Sequence, residues 1–249
     1  MAGDQTGGPG FHSKIPGPSR DQHAQFGDPG TVNAQEQGLM GLGMNKLSFF
    51  PTLCAQGVVD ECRYGLAFGL DGTGTAILGS KDQDLYEGEL SVQKTGQDWD
   101  MTNKLMVDGT EILAESDTVV LDSGTVNVIV PTVVARKLFT ALNIQIVEQT
   151  LPGCTNSIFG YYPCDKPPTV GFQFGDKVFN IESSRFQLED NGNNNCTAII
   201  TGIDVTEKHP NLWLIGQAWM QGKYVDFRKK DDGYEIGVAN LKNPGSGCP

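Results

Sequence analysis

Asp122 is the residue of this 249-residue chain best set to do chemistry. It closes an apolar run, Val119-Val120-Leu121, and leads into Ser123-Gly124-Thr125, Val126 and a second apolar stretch, Val128-Ile129-Val130-Pro131. The pattern reads as a strand entering a tight turn and another strand leaving it. Gly124 lets the backbone pass close behind the carboxylate. Ser123 and Thr125 can hold that carboxylate through hydroxyl and backbone hydrogen bonds. A carboxylate held in this way can move protons as a general acid or base. A turn Asp can also do no more than bond its own backbone. Asp84, Asp98, Asp100 and Asp117 lack the strand-turn-Gly setting and read as solvated surface. No second Asp-Ser/Thr-Gly occurs in the sequence.

The elements around Asp122 read as β-rich and loop-rich. Charged residues make up 19 % of the chain and Gly numbers 32. Residues 1 to about 36 are rich in Gly, Pro, Gln, Asp and Ser and read as a disordered or loosely packed tail. Apolar texture begins at Gly38-Leu39-Met40-Gly41-Leu42-Gly43. A short helix is predicted over Leu47–Gly57, with Ser48 as N-cap and Gly57 as stop. Strands are predicted at 64–70, 75–78, 88–92, 104–107, 112–113 and 118–121, with turns at Asp71-Gly72, Gly79 and Asp108-Gly109. A second helix is predicted from Pro131 to Leu142, because Thr132, Ala135, Leu138, Phe139 and Leu142 recur at helical spacing. Hairpins are predicted for 170–181 around Gly175-Asp176 and for 224–239 around Asp231-Asp232-Gly233. Trp213-Leu214-Ile215-Gly216 opens the last β section, Trp213 and Trp219 read as core, and residues 243–249 read as a flexible tail.

Net charge is −12 and the pI is about 4.6, which argues against nucleic acid or an anionic membrane as partner, since both need a cationic face. The balance suits a protein working in acid, although an acidic surface needs no acid habitat. The six Cys lack C-x-x-C spacing and the three His form no ligand pattern, so no metal site and no cofactor is predicted. An even set of Cys outside such motifs points to disulfides and an oxidising compartment. Asn195-Cys196-Thr197 is an N-glycosylation sequon, a triplet that also arises by chance. Met1 is not followed by an apolar run, so neither a signal peptide nor a transmembrane segment is read.

Several segments occur in a definite order: Gly38–Gly43, Phe50-Pro51-Thr52-Leu53-Cys54-Ala55-Gln56-Gly57, Ile77-Leu78-Gly79-Ser80 through Leu85-Tyr86-Glu87-Gly88, Asp122-Ser123-Gly124-Thr125, Leu212-Trp213-Leu214-Ile215-Gly216, Tyr224-Val225-Asp226-Phe227 and Ile236-Gly237-Val238-Ala239. Together they resemble the pepsin-like aspartic protease family, over roughly residues 37–242. The resemblance implies an all-β, pepsin-like acid protease fold with one lobe, the C-terminal, largely complete and a few short helices. It implies residues 37–89 as a remnant of the N-terminal lobe with interlobe strands, and 90–242 as the C-terminal lobe. Asp122-Ser123-Gly124-Thr125 is similar to the family's second catalytic motif, and Leu212–Gly216 to the element packed beneath it. The N-terminal lobe, with its own catalytic Asp and flap, has no counterpart here and is expected to be missing.

The family hydrolyses peptide bonds with a water held between two Asp carboxylates, one ionised and one protonated. Like charges ~3 Å apart share one proton, so a lone Asp122 cannot be acid and base at once. The expectation is an aspartic endopeptidase, truncated and inactive alone, acting on polypeptides when a missing lobe or a second copy adds the other Asp. The alternative is an inert half-protease that binds peptide or protein. Val126 and Ile129 either touch substrate or fill the lobe; Trp99 lines a subsite or packs between lobes. Val126 stands where the family usually has Thr or Ser, and Gln217 where it commonly has Asp. By resemblance, Cys164 pairs with Cys196 and Cys54 with Cys62, leaving Cys154 and Cys248. The resemblance and the cysteines imply a secreted or vacuolar protein.

Overall fold

The tight turn at Asp122 is held in place by three sheets. The computed structural model describes residues 13–14, 41–44, 48–113, 118–150, 157–204 and 211–245. The predictions for the rest of residues 1–40, for Asp117, for Cys154 and Cys248 and for residues 246–249 lie outside the described residues. Strands dominate, as predicted, with a few short helices.

A six-stranded sheet runs in the order β1 (Ser13–Lys14), β3 (Gly74–Leu78), β2 (Arg63–Phe68), β17 (Lys223–Lys230), β18 (Gly233–Asn240), β4 (Ser91–Thr95). A division of the chain at residue 90 therefore runs through this sheet. An aromatic cluster ties its face together: the Tyr64 ring stacks on Phe227 at 4.8 Å and meets Phe50 edge-on at 5.0 Å. Such pairs each add about 0.5–1.5 kcal/mol beyond area burial. Arg63 and Asp226, both buried, form a two-point ion pair with contacts of 3.1 and 2.7 Å. Before β2, α1 (Phe49–Ala55) occupies the predicted position, and the Cys54–Cys62 disulfide ties it to the sheet. Ser48 is its N-cap residue, but its side chain makes no capping bond.

The sheet that carries Asp122 has the order β10 (Gln145–Gln149), β11 (Ser157–Tyr162), β15 (Cys196–Ile203), β9 (Val128–Val130), β16 (Leu212–Ile215), β8 (Thr118–Leu121), β5 (Asp100–Met101). An eighth strand, β14 (Gln187–Asp190), pairs with β15. Helix α2 (Thr132–Ala141) lies on this sheet through Ala135, Leu138 and Phe139, all fully buried. Gly160 and Gly202 make room for it. A Cβ on Gly202 would stand 2.6 Å from that of Ala135, and one on Gly160 would stand 2.7 Å from the Phe139 ring. Pro131 cannot cap the helix with a side chain. Instead the Asp204 carboxylate accepts from the Thr132 N–H at 3.0 Å and from its hydroxyl at 2.9 Å, closing the helix start from across the sheet.

A four-stranded sheet, β13 (Lys177–Asn180), β12 (Val170–Phe174), β6 (Leu105–Val107), β7 (Thr110–Leu113), meets that sheet at Trp213 of β16. The predicted Gly175-Asp176 hairpin is its β12–β13 turn, with Phe174 opposite Lys177. Phe174 stacks on Trp219 at 4.7 Å, and Phe172 meets Trp213 edge-on. Both tryptophans are core, as read from the sequence. The Cys164–Cys196 disulfide pins the start of β15 to the end of β11. Among the described residues one cluster could offer three metal ligands, Cys164, Asp190 and Cys196, but its two sulfurs are joined in that disulfide.

Lys223 is the least comfortable side chain of the core. It is 1 % exposed, lies 5.3 Å above the Trp219 ring, and donates to the Gln221 carbonyl at 3.3 Å. Burial lowers its pKa from 10.5 to about 8, against the opposing pull of Glu182. Between these values the unfolded chain holds a proton that the folded chain has lost, so stability rises with pH there and the cost is fully present below pH ~8. Lys223→Met should therefore stabilise the protein near pH 6 by up to about 3 kcal/mol. The gain should shrink as pH climbs from 8 towards 10. Urea unfolding of both proteins across this range checks it; a gain that did not depend on pH would contradict the assignment.

Candidate functional site

Strand β16 threads between β8 and β9. It pairs parallel to β8, with Ile215 opposite Leu121, and antiparallel to β9, with Ile215 opposite Val128. β8 and β9 are thus held apart by one strand, and residues 122–127 must arch over its end. The arch is stitched from below by backbone bonds. Gly216 N–H donates to Asn127 O at 3.1 Å, Gln217 N–H to Thr125 O at 2.8 Å, and Ala218 N–H to Val126 O at 3.0 Å. Asp122 N–H donates back to Ile215 O at 3.1 Å. Only glycine fits at 216: an added Cβ would lie 2.2 Å from the Asn127 carbonyl oxygen and 2.3 Å from that of Thr125.

Within the arch both oxygens of the Asp122 carboxylate are engaged. Gly124 N–H donates to Oδ1 at 2.8 Å, and the Thr125 hydroxyl donates to Oδ2 at 2.5 Å. Thr125 N–H also closes the turn onto Asp122 O at 3.1 Å. These donors fix the plane of the carboxylate and leave it partly open to solvent. Ser123, expected to support the carboxylate, takes part through its carbonyl, which accepts from the Gln217 side-chain amide at 2.6 Å. An Asp at 217 would have no such donor while ionised. Gln217 therefore supplies a tie that the residue-type comparison with the family would not foresee.

The remaining candidates separate. Val126 is 45 % exposed in the arch, an apolar side chain open to solvent. Ile129 is 6 % exposed and lies in β9 between Leu214 and Thr201. Trp99 is 4 % exposed and packs against Tyr64, Phe227 and Tyr234 of the six-stranded sheet. Its indole N–H donates to Leu42 O at 3.3 Å, an oxygen that also accepts from the Tyr64 hydroxyl. Its φ of 59° is left-handed, a conformation that a bulky residue adopts only when its surroundings enforce it. Asp122, its loop and Val126 thus come together, whereas Ile129 and Trp99 pack elsewhere. Asn127, which sequence reasoning passed over, lies buried under the arch, with its amide 3.5 Å from the Thr201 hydroxyl. Its polar type within an apolar run was the available signal.

The sequence that forms this arch is similar to known proteins. The pattern that defines the eukaryotic aspartyl proteases matches residues 22–241. Major aspartyl peptidase 1 of Cryptococcus neoformans var. grubii is 25 % identical over 223 residues, covering 77 % of this chain and 45 % of that protein. Dog renin (Canis lupus familiaris) is 25 % identical over 225 residues, 83 % of this chain and 53 % of its own length. Mouse cathepsin D (Mus musculus) is 25 % identical over 230 residues, 84 % and 53 % respectively. The chain spans about half the length of the curated relatives it matches. With a family pattern over most of its residues and the Asp-Ser-Gly-Thr arch in place, the chain belongs to the eukaryotic aspartyl protease family.

Proposed function

We propose that this chain supplies one half of an aspartic endopeptidase site, with Asp122 as one carboxylate of the catalytic pair. The observation that carries the reading is the arch itself: a carboxylate whose two oxygens each accept one hydrogen bond, from Gly124 and Thr125, and whose face stays open. In the reaction a water between two carboxylates loses a proton to the ionised one while its oxygen attacks the peptide carbonyl. The other carboxyl donates its proton to the carbonyl oxygen, so the pair shares one proton throughout. Asp122 is the sequence's one Asp-Ser/Thr-Gly. The second carboxylate therefore comes from outside these 249 residues, from an N-terminal lobe or from a second copy of the chain. Substrates are extended polypeptides, and Val126 contacts them from the arch. The two disulfides favour an oxidising compartment, secreted or vacuolar. Among the described residues no helix is long and apolar enough to cross a membrane.

The reading makes two tests available. Residues 1–249 alone should digest denatured protein at acid pH at least about 10²–10⁴-fold more slowly than the same chain joined to a complementary lobe, because a proton-transfer partner is lacking. Asp122→Asn should abolish the restored activity. Rapid Asp122-dependent cleavage rising with the first power of chain concentration would defeat the missing-partner reading; a second-power dependence would assign the partner to a second copy. Peptide binding with no cleavage by the joined form would mark an inert module instead. Separately, Gly216→Ala should destabilise by about 3 kcal/mol, since its Cβ meets backbone carbonyls that cannot swing aside. Chemical denaturation measures that cost, and the joined form should lose activity even where it remains folded.

A further inference from the structure

The chain's one Asn-x-Ser/Thr sequon, Asn195-Cys196-Thr197, sits in the tight connection between β14 and β15. We propose that Asn195 carries an N-linked oligosaccharide at the rim of the sheet that bears the Asp122 arch. Residues 191–194 are exposed and Asn195 is partly so. Neighbouring amides are committed: Asn191 donates to the Thr197 hydroxyl at 2.9 Å, and Asn194 exchanges bonds of 2.8 and 3.1 Å with Asp165. The loop backbone is closed by Asn191 N–H to Asn195 O at 2.8 Å and Asn195 N–H to Gly192 O at 3.1 Å. The Asn195 side chain makes no hydrogen bond among the described residues, so a glycan on its amide nitrogen breaks none. The bond formed joins that nitrogen to the sugar's anomeric carbon; the anomeric C–O bond to the donor's lipid-linked phosphate breaks, the phosphate leaves with the electron pair, and the amide nitrogen's proton passes to a base of the transferase.

Timing makes the site usable. Thr197 is 4 % exposed in the folded protein, and Cys196 is bonded to Cys164. A transferase that must hold the whole triplet can therefore act only before β15 docks. The residues that complete the core, Trp213, Trp219 and strands β16 to β18, all follow Asn195 in the chain and are synthesised after it. The position also has a consequence. β15 runs parallel to β9, with Ile200 beside Val128. Cys196 therefore lies four residues before that level, roughly 13 Å towards the end of the sheet that bears the Asp122 arch. Three strand spacings, roughly 14 Å, separate β15 from β8. A glycan there flanks the approach to Asp122 without covering it.

The proposal rests on entry into a glycosylating secretory route but not on catalysis, so a supplied leader separates the two. The full chain, fused behind a secretion leader and expressed in a eukaryotic host, is treated with a peptide-N-glycosidase. The mobility of the wild type and of Thr197→Ser should increase on treatment; that of Asn195→Gln and Thr197→Val should not change. Enzymatic release converts the glycosylated Asn to Asp, so peptide mapping of the wild type must show Asp at position 195 even where a variant is not secreted. Secreted wild type with the Cys164–Cys196 bond formed and unmodified Asn at 195 would overturn the proposal.

Discussion

The site depends on one strand passing through a place barely wide enough for it. β16 enters between β8 and β9, and its exit at Gly216 presses against the carbonyls of Thr125 and Asn127. Without a side chain at 216 the three backbone bonds beneath the arch can form, and with them the loop has one shape. That shape aims the Gly124 N–H and the Thr125 hydroxyl at the Asp122 carboxylate. The acid is thus positioned by backbone packing more than by side-chain partners. Backbone bonds buried in a sheet are stiff, so the carboxylate keeps one fixed aim.

The same exit couples the arch to the rest of the molecule. After Gly216 the chain makes one helical turn, Gln217–Met220, and enters β17 of the six-stranded sheet. Gln217 holds the Ser123 carbonyl from above. Two residues on, Trp219 is buried, stacked on Phe174 and bonded through its indole N–H to Phe179 O at 2.9 Å. One short turn therefore touches the Asp122 loop, the four-stranded sheet and the six-stranded sheet. A displacement at any of them is felt at Asp122, because close-packed interiors transmit strain rather than absorb it.

What the sequence announced and what it hid follow from the same physics. The Asp122 loop, α1, α2 and the hairpins at Gly175-Asp176 and Asp231-Asp232 were legible, because Gly, Pro and helical spacing mark them locally. β10, β11, β14 and β15 were not. β15 is buried at all eight positions, so Cys196-Thr197-Ala198-Ile199-Ile200-Thr201-Gly202-Ile203 shows no alternation, and its Thr and Gly read as loop. Gly160 and Gly202, which break the strand signal, are there to admit α2. At the site, the turn of residues 122–126 was legible, but the strain at Trp99 and the tie from Gln217 arise from long-range packing. Neither residue's local sequence carries a trace of it. The capping of α2 by Asp204, 72 residues away, is of the same kind.

Acid conditions test this fold through few groups, and their effects differ in sign. Lys223 is charged in both states below about pH 7, so its cost is constant there and acid changes nothing. Asp226 is the informative case. Burial raises its pKa, and the hydrogen bonds and charge of Arg63 oppose that only in part. The folded chain therefore takes up a proton at Asp226 before the unfolded chain does, and falling pH favours the fold at this position. Asp176 acts the other way. The Ser91 hydroxyl lowers its pKa, so what it contributes is present above the ordinary carboxylate range and lost as pH falls. Asp176 is solvent-exposed and screened, whereas Asp226 lies in the central strand pairing between β2 and β17. Acid that protonates Asp226 thus takes the negative charge out of the Arg63–Asp226 pair while favouring the fold at that position.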